Sequence, residues 1–271
     1  MPLEKIESLK LSPEGMVIEE RRAAAEVVFS DEIRAWNNLA EEYDKRVYSI
    51  TSFPEKRERI VASALPGEHI LIAGGGSEVY LQRDLLSTLQ DISIIVSDFS
   101  PEMLRVSAKN FNDARLDHRL LDTRALGIEG TMDRIIVTNS IVPETRDDVI
   151  KMYSSLFDAL KQGGEFVGYF PSFTMIEELA ASQPEILAEN RENIDFENKR
   201  YKDTVGWQSW QTEATLREEL SRAGFKPNTI MIERVPCESD LEANTLAALY
   251  DLPLELIKAA FSCFFVKAMK G

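Results

Sequence analysis

Cysteine is nearly absent, with only Cys237 and Cys263 in 271 residues. Two thiols so far apart supply neither a disulfide framework nor the clustered spacing of a metal site, so no metal is expected. A reduced, cytoplasmic setting is the expectation. Histidine is as scarce, at His69 and His118. Positive charge is in deficit: 31 Lys and Arg face 46 Asp and Glu, for a net charge of −15. Gripping a phosphate backbone needs clustered Lys and Arg, so no nucleic-acid partner is expected. No apolar run approaches the ~20 residues that span a bilayer, and Met1-Pro2-Leu3-Glu4-Lys5-Ile6-Glu7 lacks the layout of a secretory signal. No membrane partner is expected either.

What the chain has is 44% hydrophobic content, enough for a core, and a clear alternation of patterns. Residues from Pro13 to Val47 have helical character. Ala23, Ala24, Val27 and Val28, then Ile33, Trp36, Leu39, Ala40 and Tyr43, recur at three- and four-residue spacing, with Ser30-Asp31 as a cap between two helices. A further helix over Pro54–Leu65 ends at the turn Pro66-Gly67. Strand-like runs then occur at Ile70–Ala73, Ile92–Val96, His118–Leu121, Arg134–Thr138, Glu165–Phe170, Thr229–Glu233 and Phe261–Ala268. Helical stretches at Ser77–Leu89, Pro101–Asn112, Asp147–Lys161 and Thr212–Ala223 separate most of them. Such alternation predicts an α/β fold with a mostly parallel sheet covered on both faces. Two segments break the rhythm. Pro171–Gly206 is long, charged and partly helical, and Glu238–Ala260 is helical. Loops after strand ends face the ligand crevice of an open α/β sheet, so the first of these is expected to cap a substrate.

The stretch from His69 to Lys109 carries the chemistry. An apolar run, Ile70-Leu71-Ile72-Ala73, ends in Gly74-Gly75-Gly76-Ser77-Glu78. Without Cβ atoms, such a loop lets backbone approach a ligand closely. A second apolar run ends in Asp98, about 20 residues on, where a carboxylate can take both hydroxyls of a ribose. The segment is expected to hold a nucleoside. A dinucleotide fingerprint of the form Gly-x-Gly-x-x-Gly is not met, since from Gly74 its last position is Val79.

These residues resemble the class I S-adenosylmethionine-dependent methyltransferases, of the kind acting on small molecules. The resemblance runs from Trp36 to Lys270. It rests on the entry helix Trp36-Asn37-Asn38-Leu39-Ala40-Glu41-Glu42-Tyr43-Asp44, the glycine loop, and Asp98-Phe99-Ser100-Pro101-Glu102-Met103-Leu104 at the ribose-binding strand end. Asp122-Thr123-Arg124, Leu160-Lys161-Gln162-Gly163-Gly164-Glu165, Trp210-Gln211-Thr212-Glu213-Ala214-Thr215-Leu216 and Phe264-Phe265-Val266-Lys267-Ala268 follow in the family's order. The resemblance implies a Rossmann-like, doubly wound sheet of seven strands, the last antiparallel between strands five and six. It divides the chain into an N-terminal helical lid (1–65) and a core (66–271) with a cap insertion (171–206). It implies S-adenosylmethionine as cofactor, held by Tyr43, Gly74, Gly75, Gly76, Ser77, Asp98, Phe99, Met103, Asp122, Thr123, Asn139 and Ser140. Two departures lie at the methionine end: Ile72 stands where the family keeps an acid, and Glu78 where it keeps a glycine. Glu78 favours a helix start through the dipole and could also meet the ligand's ammonium.

Catalytic candidates are few. A ligand lies beyond the carboxyl ends of parallel strands, and five residues of strand span about 17 Å. His69 and His118, at strand starts, are therefore expected on the wrong edge. Asn139 and Tyr169, at the ends of strands four and five, are the expected catalytic residues: the amide orients a nucleophile, and the ring steadies a sulfonium by cation–π attraction. The sequence leaves three functions open. The first is methyl transfer to a small amine, carboxylate or carbon nucleophile. The second consumes the cofactor without methyl transfer, by closing its own amino group onto its γ-carbon to give azetidine-2-carboxylate and methylthioadenosine, or by moving the aminocarboxypropyl chain. The third is non-catalytic binding. A homodimer is an open option.

Overall fold

The computed structural model describes residues 31–47, 49–188, 190–203, 205–250 and 252–271. The expected helix through Ala23–Val28 and the cap at Ser30 lie outside the described residues. The chain enters through α1 (Asp31–Leu39), the single turn α2 (Tyr43–Arg46) and α3 (Pro54–Val61), then alternates. In order come β1 (His69–Ala73), α4 (Tyr80–Thr88), β2 (Ser93–Asp98), α5 (Pro101–Asn110), β3 (Leu116–Leu120), β4 (Met132–Thr138), α6 (Arg146–Ala159) and β5 (Leu160–Pro171). The insertion holds α7 (Phe173–Ser182), β6 (Ile194–Asp195), β7 (Arg200–Asp203) and β8 (Gly206–Ser209). The last elements are α8 (Glu213–Arg222), β9 (Met231–Pro236), α9 (Asp240–Tyr250), α10 (Leu254–Ala260) and β10 (Ser262–Met269).

Seven strands form one sheet in the order β3-β2-β1-β4-β5-β10-β9. Strands β1 to β5 run parallel, and β10 lies antiparallel between β5 and β9. This is the expected topology. Period-two alternation sends successive side chains to opposite faces. Leu71, Ile135, Val137, Phe166 and Phe170 pack with α6 and α8 on one side. Ile70, Ile72, Ile136, Val167 and Tyr169 pack with α3 and α4 on the other. Burial of both faces explains why these strands read as continuous apolar runs.

Position by position, the sequence limits need adjustment. His118 sits in the middle of β3 and is buried, with Nε2 3.1 Å from Ser107 Oγ; burial lowers its pKa. His69 opens β1, far from the carboxyl edge, with Nδ1 2.6 Å from Ser93 Oγ. Helix α4 starts at Tyr80 rather than Ser77, because Glu78 is used elsewhere. The insertion is more than a helical cap: β6, β7 and β8 form a small antiparallel sheet that runs past Gly206 to Ser209.

Two ionic knots fasten the periphery. Lys56 of α3 is fully buried; its Nζ donates to the Pro236 carbonyl (2.9 Å) and pairs with Glu238 (3.1 Å) and Glu242 (3.5 Å). Arg146, at the first turn of α6, donates to the carbonyls of Asn198, Lys199 and Trp210 and to Gln211 and Glu219 side chains. It thereby ties the insertion to the main sheet. Among the described residues, no helix is long and apolar enough to cross a membrane.

Candidate functional site

The carboxyl ends of β1, β2 and β4 coincide: Ala73 pairs with Ser97 on one side and Val137 on the other. A cleft opens above them, walled by α1, α2 and the loops after β1, β2, β3 and β4. Its floor is the glycine loop. Gly74 (φ +63) and Gly76 (φ +60) take the left-handed conformation that side chains resist. A Cβ on Gly74 would stand 2.4 Å from Ser140 Cβ, and one on Gly76 would meet the Tyr43 ring at 4.0 Å. Ser140 closes the floor by donating from Oγ to the Ala73 carbonyl at 2.7 Å.

Asp98 ends β2 at 6% exposure. Its Oδ2 accepts from the Gly76 amide (3.0 Å) and its Oδ1 from the Ser100 amide (2.8 Å). Burial outweighs these donors and pushes its pKa up to about 6. The carboxylate lines the cleft. Ser100 then caps α5, accepting from Met103 N at 3.1 Å while its hydroxyl donates to Asn37 of α1 at 2.7 Å. Pro101 follows at the first helical position, where a missing N–H costs nothing. One short motif so aims the carboxylate, starts the helix and anchors α1.

The far end of the cleft is polar. Asp122 accepts from the Arg124 amide (2.9 Å) and pairs with its guanidinium (2.9 Å), which lies 4.0 Å from Glu32 of α1. Burial raises the Glu32 carboxyl. Phe99, Met103 and Thr123 complete this end, a mixed apolar and acidic wall suited to a purine with its exocyclic amine.

Of the expected site residues, Tyr43, Gly74, Gly76, Asp98, Phe99, Met103, Asp122, Thr123, Asn139 and Ser140 line the cleft. Gly75 and Ser77 do not. Gly75 faces inward, where a Cβ would come within 2.7 Å of Val96, and Ser77 is buried. Tyr169 is also displaced from the expectation. Strand parity turns its ring into the core beside Phe265, 4.9 Å between centroids, and its hydroxyl donates to the Lys56 carbonyl at 3.3 Å. It presents no face to the cleft. Glu32, Trp36 and Arg124 line it without having been singled out, although the last two stand inside motifs already recognised.

Glu78 has another task. At 6% exposure, its Oε2 accepts from the hydroxyls of Ser49 and Thr51 and its Oε1 from the Tyr80 amide. The carboxylate fastens the segment between α2 and α3 to the glycine loop and does not line the cleft. Glu78→Gln should therefore cost stability, about 1–3 kcal/mol for a buried charged acceptor. It should leave S-adenosylhomocysteine affinity within about threefold. Thermal unfolding and calorimetry on the same sample check this; a large affinity loss with unchanged melting would put Glu78 in the ligand site instead.

Asn139 stands at the hinge of the site. It follows β4 with φ +53, and its backbone N–H donates to the Tyr169 carbonyl at 2.9 Å. Its Oδ1 is buried and accepts no hydrogen bond among the described residues. Asn139, Trp36, Tyr43 and Val142 also border a second, partly open chamber of 230 Å³, lined further by Met175 of α7, Asp203, Gln208, Trp210 and Phe261. The insertion is thus the roof of that chamber. Trp210 contributes to it, whereas Trp207 instead lies under Arg200 at 5.1 Å. Burial holds the thiols of Cys237 and Cys263 up, at about 11 and about 12, so neither is a ready thiolate.

Solved structures share this architecture. A chain from the Haloferax volcanii complex of the Trm112 methyltransferase activator with a methyltransferase superposes with a TM-score of 0.59 at 16% identity, covering 89% of this chain and 96% of that one. The fold is that of the class I S-adenosylmethionine-dependent methyltransferases. A methyltransferase fold from Methanosarcina mazei matches at 0.56 and 14% identity over 80% of this chain and 97% of its own. Haemonchus contortus phosphoethanolamine N-methyltransferase 2, solved with S-adenosyl-L-methionine, matches at 0.55 and 16% identity over 90% of this chain and 58% of the longer enzyme. Neither a protein-family model nor a curated protein matches the sequence.

Proposed function

We propose that this chain is an S-adenosylmethionine-dependent methyltransferase acting on a small-molecule nucleophile, with an amine as the best fit. One observation carries the reading. The cleft that presents the Asp98 carboxylate and the backbone of Gly74 and Gly76 shares Trp36, Tyr43, Asn139 and Val142 with a second, partly open chamber under the insertion. The donor supplies an electrophilic methyl on a sulfonium. Asp98 would hold the ribose, Asp122 and Phe99 the base, and Asn139 would stand where donor and acceptor meet. Its unpartnered Oδ1 favours an N–H on the incoming group, because a buried acceptor left unmatched costs about 1–3 kcal/mol. Neither histidine and no thiolate lines the cleft. Alignment then carries the rate, and positioning alone is worth up to ~7–11 kcal/mol.

The Asp98 carboxyl makes the donor site testable through pH. Free, it titrates near about 6. Ribose hydroxyls stabilise the ionised form, so binding lowers the pKa and releases a proton. Affinity for S-adenosylhomocysteine should be flat above pH 7 and fall about tenfold per unit below about 6. Calorimetry in buffers of different ionisation heat would show the proton release. Flat affinity from pH 5 to 8 would remove Asp98 from the site.

A specific observation supports a second reading. Ile72 is apolar and buried, and Glu78 is committed to Ser49 and Thr51. No ionised acid is therefore spent on the donor's own ammonium, whose proton a carboxylate would retain. The neutral Asn139 amide in the cleft would leave that amine free to act as the nucleophile, closing onto the γ-carbon and releasing methylthioadenosine and a proton.

A further inference from the structure

The acceptor chamber has a neighbour. Three of its walls, Met175, Trp210 and Phe261, also border a separate, partly open cavity of 100 Å³ between the insertion and α10. Leu179 and Ile176 of α7, Ile257 and Leu256 of α10, and Ile186 and Ile194 of the insertion face it. Nearly every lining side chain is apolar; the amide of Asn190 and the Tyr201 hydroxyl are the polar groups. Of the lining residues, Ile176, Leu179, Ile194 and Leu256, with Met175, belong to a buried cluster distinct from the two that sandwich the main sheet.

This placement asks for an explanation. An apolar lining with no packing partner on one side forfeits dispersion contacts, and a concave, mostly apolar pocket is the usual form of a small-molecule site. Here the hole adjoins the acceptor chamber through shared side chains. The chamber itself carries polar groups at the other end, Asn139 and Asp203, with Arg46 already paired to Glu42 at 3.6 Å. Polarity thus falls steadily from the donor cleft to the cap.

We infer that the cap cavity binds the apolar tail of the acceptor, so that the substrate is an amphiphile: an amine head at Asn139 and an aliphatic chain lodged between α7, α10 and the small sheet. This rests on the acceptor reading given above and specifies its substrate class. Met175, Trp210 and Phe261 form the neck through which the chain passes, and residues behind it set the chain length accepted.

The test uses n-alkylamines from propylamine to octylamine, titrated calorimetrically into the full chain with and without S-adenosylhomocysteine. Each buried methylene should tighten binding about fourfold until the cavity is full, after which affinity levels off. Leu179→Trp fills the cavity and should abolish the dependence on length while leaving the thioether's affinity within twofold. Ile186→Trp, outside any helix, does the same should the first variant fold poorly. Affinity independent of chain length in the unaltered protein would overturn the inference, as would a gradient that survives in both folded variants. A retained gradient with no S-adenosylhomocysteine binding would sustain the cavity and overturn the donor reading, so the two fail separately.

Discussion

Asp98→Asn should weaken S-adenosylhomocysteine binding by at least tenfold and by up to about a thousandfold. Hydrogen bonds to a charged acceptor are worth ~1.5–3 kcal/mol each, and an amide can offer only one acceptor oxygen where the carboxylate offers two. Asp98 already takes the Gly76 and Ser100 amides. In the variant, the NH₂ group would have to face one of those amides or the ligand, so at least one donor loses its partner. The substitution also removes the titration near about 6. The pH dependence of affinity should vanish together with most of the affinity itself. A melting curve guards against misfolding. Near-normal affinity in a folded variant would contradict the assignment of the ribose site.

Much of this was legible in the sequence because the signals were local. The apolar runs that became β1, β2 and β4 are buried on both faces, and their ends fall where Gly74, Asp98 and Asn139 begin their loops. Ser100-Pro101 announces both the turn and the helix start. What escaped depends on contacts across the fold. Tyr169 lies near the carboxyl end of β5, two residues before its last residue, but only the pairing of β5 decides which face receives it, and that face is core. The partners of Glu78 lie 27 and 29 residues upstream, with no pattern linking them. The small sheet of the insertion has strands of two to four residues, one of them Arg200-Tyr201-Lys202-Asp203, too short and charged to show a period. The inward turns of Gly75 and Ser77 likewise follow from how the loop meets β2, where Gly75 donates to the Ser97 carbonyl at 2.9 Å.

The roofed chamber also separates chemistry on an acceptor from chemistry within the donor. In methyl transfer, the nucleophile must occupy the 230 Å³ space beside Asn139 before anything happens. In the internal reaction that space is idle, and the donor alone suffices. The two routes break different carbon–sulfur bonds and leave different nucleosides. Turnover should therefore depend on acceptor almost completely, a larger effect than any single substitution here. Proximity sets its scale, since effective molarities reach about 10⁵–10⁸ M for well-aligned groups.

The most direct measurement is one chromatogram run twice, after S-adenosylmethionine is incubated with the protein alone and with hexylamine added. The account predicts an unchanged donor in the first and S-adenosylhomocysteine with N-methylhexylamine in equal amounts in the second. Rapid release of methylthioadenosine without any acceptor, and no S-adenosylhomocysteine in either sample, would contradict it.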